Sequence, residues 1–450
     1  MFEMQDKHGL LTGPIPQVLR QMTIPMIFGM ISILMFNLVD TFFISLLGTK
    51  ALASISYTFP VTFALNCITM GIGVGLSTII AHLLGQDKTV GAARFATHGV
   101  LLAVVLITIT SGLGLATIHS LFTILGAPKE LLPLIDQYMH VWYLSIPLLV
   151  IPMAGNSVIR ATGDTKTPAK IMILAGIING VLDPLLIFGW GPFPELGIQG
   201  AAIASALSWL GACIWSLYIL IRREHMLAPP CARYLIGDWK KILKIGTPAA
   251  LSNAMIPLSC ALLMILISNH GTAAVAAYGA AQRVESILIL VLMALTSALT
   301  PFIAQNVGAD NHQRSFDGLF ISMRFALIFQ MGVFITIIPL SIPLASLFSQ
   351  EPSVKSLLWH YLLVVPFSYG FQGIVMLLVS GLNALHKPFK AFQWSFMRPF
   401  LFILPGAWLG SYWFGIEGLF IGIALGNMLG GILGYLYALQ LRRRYLLQTI

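Results

Sequence analysis

The chain has 450 residues, of which 57% are hydrophobic and only 9% charged, and its mean hydropathy is +0.88. Soluble domains carry about 25% charged residues, so this composition excludes an ordinary water-soluble enzyme and places the chain in a bilayer. The net charge of +9 does not indicate nucleic-acid binding, because the basic residues segregate to alternate connections, as they do in membrane proteins.

Apolar runs of helical length predict twelve spans, near 17–47, 51–83, 94–120, 130–160, 168–190, 196–222, 240–268, 274–305, 312–343, 352–383, 389–412 and 417–442. Each is long enough for a hydrocarbon core of about 30 Å. Ahead of them, Met1 to Lys7 lacks a short apolar region with a small-residue cleavage site, so the first span is expected to be retained.

The first span carries Asp40 within Ile31 to Phe43. An ionised carboxylate at membrane depth costs about 2.5–3.5 kcal/mol on insertion scales, which makes it a functional candidate. Helical spacing puts Asn37 on the same face (i, i+3). In the second span Gly71-Ile72-Gly73-Val74-Gly75 superficially resembles a dinucleotide turn, but it lies inside an apolar helix with no preceding strand and reads as a close-packing surface. His82 and His98 flank a connection and read as solvated. The fourth span starts with Asp136 and Tyr138, and Tyr138 could either donate a hydrogen bond to the acids or join an interfacial belt.

The fifth span repeats the question of the first with Asn179 and Asp183 (i, i+4). If the two faces meet, two carboxylates and two amides line one pocket, and the pair titrates as a unit. A proton, sodium held through oxygens, or the positive end of a drug could neutralise it, and mutually exclusive occupancy is the simplest route to exchange. Pro25 and Pro184 each leave a carbonyl without its helical partner and make the scaffold deformable.

The segment Arg222 to Lys244, with Pro229-Pro230, divides the chain into an N-lobe over 1–222, a cytoplasmic linker over 223–239 and a C-lobe over 240–450. The lobes repeat at offsets of 223 and then 219: Gly48-Thr49 recurs near Gly271-Thr272, His82 to Asp87 on Gln305 to Asp310, and Gly197 to Gly200 on Gly415 to Gly418. Six spans separate the copies, so they insert in parallel about an axis along the membrane normal. Asp40 falls on Leu263 and Asp183 on about Phe402, so the C-lobe lacks both acids.

In the C-lobe, Glu285 and Arg283 do not share a helical face and each is expected to pair elsewhere. Arg398 could hold an anionic group or pair with a polar group across the lobe. With the N-terminus inside, nineteen Lys and Arg lie on the cytoplasmic side against Lys50, Lys129 and Lys355 outside, so both termini are cytoplasmic.

The run Gly155-Asn156-Ser157-Val158-Ile159-Arg160-Ala161-Thr162-Gly163-Asp164-Thr165-Lys166-Thr167-Pro168 resembles the multidrug and toxic compound extrusion (MATE) family. Asn179 with Asp183-Pro184, Gly200 to Ser205, Arg283 to Ser286 and Ala298 to Ala309 extend the resemblance over essentially the whole chain. It implies an all-α membrane protein, with two pseudo-symmetric six-helix lobes in a V shape. It also implies a secondary exporter that exchanges organic cations and other amphiphiles for inward protons or sodium.

By position, Asp40, Tyr138, Asn156, Asn179 and Asp183 match polar N-lobe residues of the DinF-like branch, and Ser205 stands where that branch has a threonine. Sodium, if it is the coupling ion, would be held by Asp40, Asn179, Asp183 and Ser205. The stretches Leu251 to Leu262 and Tyr361 to Leu377 lack the C-lobe acids of the other branch, which favours protons. The resemblance further suggests that protonation of Asp40 bends the first helix near Pro25 and displaces cargo, with Asn37 and Met35 as weaker cargo contacts. The expected partners are small cationic or amphiphilic drugs and the bilayer of a bacterial inner membrane, with no cofactor and a monomeric state; the alternative is a lipid or amphiphile flippase of the same superfamily.

Overall fold

The computed structural model describes residues 8–447, so Met1 to Lys7, including the charge of Lys7 counted above, lies outside the described residues. The helices are α1 (Ile15–Leu46), α2 (Thr49–Gly85), α3 (Thr89–Ile124), α4 (Leu132–Ala161), α5 (Lys166–Ile187), α6 (Gly197–Tyr218) and α7 (Ala232–Ser268). They continue with α8 (Thr272–Leu288), α9 (Leu290–Gly308), α10 (His312–Phe348), α11 (Pro352–Val364), α12 (Tyr369–Ala384), α13 (Pro388–Met397) and α14 (Leu404–Leu447). There is no strand among the described residues.

Among the described residues, eleven stretches are long and apolar enough to cross a bilayer. The last, running to Leu447, counts twice, because α14 breaks at Phe414 and Gly415, where φ takes the values −130° and +63°. The two arms of that break fold against each other through glycines: a Cβ on Gly410 would lie 2.0 Å from the carbonyl oxygen of Gly418, and one on Gly406 2.8 Å from that of Gly422. The chain is therefore an all-α protein with the twelve spans its hydropathy predicts. The eighth span is α8 with α9, interrupted at Ile289, and the tenth is α11 with α12.

The sequence repeat is also written in the backbone. Left-handed residues recur in pairs: Gly48 (φ 108°) with Gly271 (95°), Asp87 (60°) with Asp310 (59°), Gly163 (96°) with His386 (56°), and Gly197 (54°) with Gly415 (63°). Asp87 and Asp310 each close a helix in the same way: the N–H of Lys88 reaches the carbonyl of Leu83 at 2.9 Å, and that of Asn311 reaches Asn306 at 2.8 Å, the wide closing bond of a Schellman turn.

The helices form two compact units. One is residues 24–250, in which α4 packs against α2, α3 and α6, and α5 lies against α6. The other is residues 9–23 with 251–447, in which α12 packs against α9, α10 and α14. Both α1 and α7 are shared out, with breaks just before Pro25 and just after Pro248. In the second unit the start of α1 is fastened by Asn306, whose Nδ2 donates to the Leu10 carbonyl at 3.0 Å, and by Arg314, which donates to Leu10 at 3.1 Å and to Gly13.

Residues 228–239, read from sequence as linker, are stitched to α3 of the first unit. Asp238 accepts from Arg94 Nε at 2.9 Å and from His98 Nδ1 at 2.8 Å, while His98 Nε2 accepts the Cys231 N–H at 3.1 Å. His98 is 0% exposed. The expectation that it is solvated is thus corrected: its two ring nitrogens have a donor role and an acceptor role to fill, and residues 231–238 cover it.

Candidate functional site

The acids of the first unit are brought together by close packing of α1 on α5. A Cβ on Gly29 would meet the Ala169 Cα at 3.1 Å, one on Gly176 the Ser32 Oγ at 2.9 Å, and one on Gly180 the Val39 Cγ1 at 3.8 Å. Ser32 also donates to the Met172 carbonyl at 3.3 Å. These contacts advance together along both helices, so α1 and α5 run in the same direction with an offset of about 140–144 residues. That register sets Asp40 level with the turn of Gly180 to Pro184. Small residues are what allow membrane helices to approach this closely.

Asn179 and Asp183 are both 0% exposed and Ser205 is 3%. The Asn179 Nδ2 donates to Asp183 Oδ1 at 3.1 Å and to Ser205 Oγ at 3.4 Å, so the amide spends both hydrogens on the site's own oxygens. Asp40 stands near enough for its charge to act on Asp183, and the Tyr138 hydroxyl feels both. The consequence is a surplus of acceptors. Asp40 Oδ1, Asp183 Oδ2 and Asn179 Oδ1 are all buried without a hydrogen-bond donor. Buried acceptors are normally paired, and these three unpaired oxygens could take up a proton or a hard cation with oxygen ligands.

Asp40, Tyr138, Asn179, Asp183 and Ser205 therefore share one site. Asn37 does not join it, because Asn37 is exposed whereas Asp40 is half-buried: three residues turn a helix by about 300°, and the missing 60° carries Asn37 off the covered face of α1. Met35 is exposed as well. Asn156 is buried, with its Oδ1 unpartnered. However, it lies on α4 with Tyr138, and 18 residues of one helix span about 27 Å. It is thus most of a bilayer away from the acids, a correction that helix arithmetic alone could have made.

Pro25 and Pro184 are inside α1 and α5. The Pro184 ring leaves the Gly180 carbonyl without a helical N–H one turn before the acids.

The Arg160 to Pro168 run is not part of this site. Asp164 caps α5, accepting the N–H groups of Lys166 at 2.9 Å and Thr167 at 3.0 Å and the Thr167 hydroxyl at 2.6 Å, and Arg223 donates to it from the end of the sixth span. Burial alone would push the Asp164 carboxyl up, but the bonds from Thr167 and Arg223 outweigh it and hold the group below the usual carboxylate range.

Membrane helices in a duplicated bundle around buried polar residues define a membrane transporter. A family model described as MatE matches residues 25–185 and again 248–409, and the two starts are 223 residues apart, the offset of the repeat. The chain belongs to the MATE transporter family and is not an enzyme. It is 47% identical, over 97% of both chains, to a protein of Shewanella oneidensis named "FAD transporter". It is 25% identical to the multidrug export protein MepA of Staphylococcus aureus, over 97% of this chain and 96% of that one. Among solved structures it is similar to the Vibrio cholerae MATE transporter VcmN in the bent form, at a TM-score of 0.92 and 32% identity, covering 96% of this chain and 98% of that one.

Proposed function

We propose that this protein exports flavin adenine dinucleotide and related amphiphiles from the bacterial cytoplasm in exchange for protons, loaded one side at a time on Asp40 and Asp183. The observation that carries the coupling is the acceptor surplus: three buried oxygens without donors, two of them on carboxylates whose charges act on each other. One added cation satisfies what the folded chain leaves unsatisfied. Sodium could also be held, by oxygens of Asp40, Asp183, Asn179 and Ser205, but the C-lobe stretches that carry sodium-binding acids elsewhere in the family have none here.

For cargo, the 47% identity to a protein named for FAD weighs more than the 25% identity to multidrug exporters. Cationic drugs form the second reading, which those multidrug relatives favour. Both termini are cytoplasmic in this scheme, as the nineteen basic residues of one side imply. Loading of Asp40 bends α1 at Pro25, where the helix already lacks one hydrogen bond and where the packing of α1 changes from the second unit to the first.

The test is uptake of FAD and of ethidium into inverted membrane vesicles, with pH and sodium gradients imposed separately. FAD uptake driven by a pH gradient without sodium supports the reading. Uptake that needs sodium and ignores pH overturns the choice of ion, and uptake of ethidium alone overturns the choice of cargo.

A further inference from the structure

The second unit holds a buried polar group of its own. Glu285 on α8 accepts from Gln282 Nε2 at 3.1 Å, from the Tyr361 hydroxyl at 3.3 Å and from Gln372 Nε2 at 3.5 Å. An ionised carboxylate offers about four acceptor sites, so these neutral donors satisfy it without help from a cation. Arg398 stands close enough for the two charges to act on each other. Among the described residues, however, no ion pair within 4 Å joins them. The charges balance, but the guanidinium keeps its hydrogens: its Nε is buried and has no partner.

The local backbone aims that guanidinium. Arg398 opens a π-helical turn, Arg398–Ile403, with Pro399 next to it. Such widened turns inside helices recur at functional sites. Its stem is held because Gly430 passes it, where a Cβ would sit 3.6 Å from Arg398 Cγ. The floor of the cluster is sealed, with Tyr361 and Tyr369 each 1% exposed, whereas Glu285 and Arg398 are only half-buried and can be reached.

A guanidinium fork with unspent N–H groups at membrane depth fits the oxygens of a phosphate and repels a cationic drug. We infer that Arg398 is a recognition residue of the second unit for a phosphate of nucleotide-type cargo, and that Glu285 opposes the same phosphate as a like charge that promotes release. The inference rests on the dinucleotide cargo proposed above. It makes the two residues antagonists: removing Arg398 weakens the anion's hold and removing the charge of Glu285 strengthens it.

The experiment uses the full chain in lipid nanodiscs and reads the binding of FAD and of riboflavin, which has the same ring system and no phosphate, by flavin fluorescence. Wild type binds FAD more tightly than riboflavin. Arg398→Gln weakens FAD at least tenfold and moves riboflavin less than twofold, Arg398→Lys falls between, and Glu285→Gln tightens FAD several-fold. Wild-type affinity for FAD in Arg398→Gln overturns the inference and leaves the cargo reading intact. So do parallel losses for both flavins in Arg398→Gln and Glu285→Gln, which mark a purely structural cluster. If Arg398→Gln does not fold, the direction of the Glu285→Gln shift decides alone. If wild type binds ethidium and not FAD, the cargo reading itself fails and takes the inference with it.

Discussion

Replacing Asp40 and Asp183 by asparagine, singly and together, counts the cations that the site exchanges. Each substitution keeps the side chain's shape and removes one charge. In Asp183→Asn the carbonyl oxygen can still accept from Asn179, the single bond Asp183 is seen to make, so at most about 1 kcal/mol of hydrogen bonding is at stake. Removing an unpaired charge from a fully buried position offsets that. The variants therefore fold, and their thermal midpoints in detergent match or exceed wild type.

Transport behaves differently. A pH difference of one unit is worth about 1.36 kcal/mol per proton, or a tenfold concentration ratio. If each acid carries a proton, wild-type vesicles at zero potential reach a ratio of about 100, each single variant about 10, and the double variant 1. If the acids share one proton, as their mutual influence implies, wild type and each single variant reach about 10 and only the double variant falls to 1. The assay is the plateau of labelled FAD in inverted vesicles with the membrane potential clamped by valinomycin and potassium. A double variant that concentrates FAD as well as wild type refutes the coupling argument.

Three further outcomes follow from the packing and the caps. Gly176→Val drives a side chain into Ser32 and prises α1 from α5, costing about 1–3 kcal/mol of stability and abolishing coupled uptake; a variant with normal uptake and melting would show that the register of the acids is not set there. Pro25→Ala restores the hydrogen bond to Gln21 and straightens α1, so thermal stability rises while turnover falls at least tenfold, read by the same vesicle assay. Asp164→Asn loses a charged acceptor and costs about 1–2 kcal/mol, the smaller end reflecting the solvent exposure of Arg223. Because Asp164 titrates below its unfolded value, its contribution is complete above the ordinary carboxylate range and fades as pH falls through the lowered native value. The melting curves of wild type and Asp164→Asn should therefore converge in acid and separate near neutrality.

Much of the architecture was legible because hydropathy and turn chemistry are local. Twelve apolar runs became twelve spans, and the recurring Gly197 and Gly415 announced matching breaks. The pairing of Asn179 with Asp183 was legible from i, i+4 spacing, since both residues are fully buried on one face of α5. Asn37 was misjudged because α1 is thinly covered, so one helical face does not fix which residues are enclosed. Asn156 was misjudged because positional resemblance was set above the length of α4. The cap of Asp164 by Arg223 joins residues 59 apart, and the fastening of His98 to Asp238 joins residues 140 apart. No periodicity reports contacts of that range. The parting of α1 and α7 at Pro25 and Pro248 was equally hidden, since hydropathy runs through both points unbroken.

The fastening of Leu10 by Asn306 has a consequence for biogenesis. These partners are 296 residues apart, and at about 5–20 residues per second a ribosome needs about 15–60 s to make the intervening chain. The segment around Leu10 must wait, unclaimed, until Asn306 and Arg314 have been made. Assembly of the second bundle is thereby tied to synthesis through Asn306 and Arg314, and a nascent chain stalled before both would leave the start of α1 without a berth.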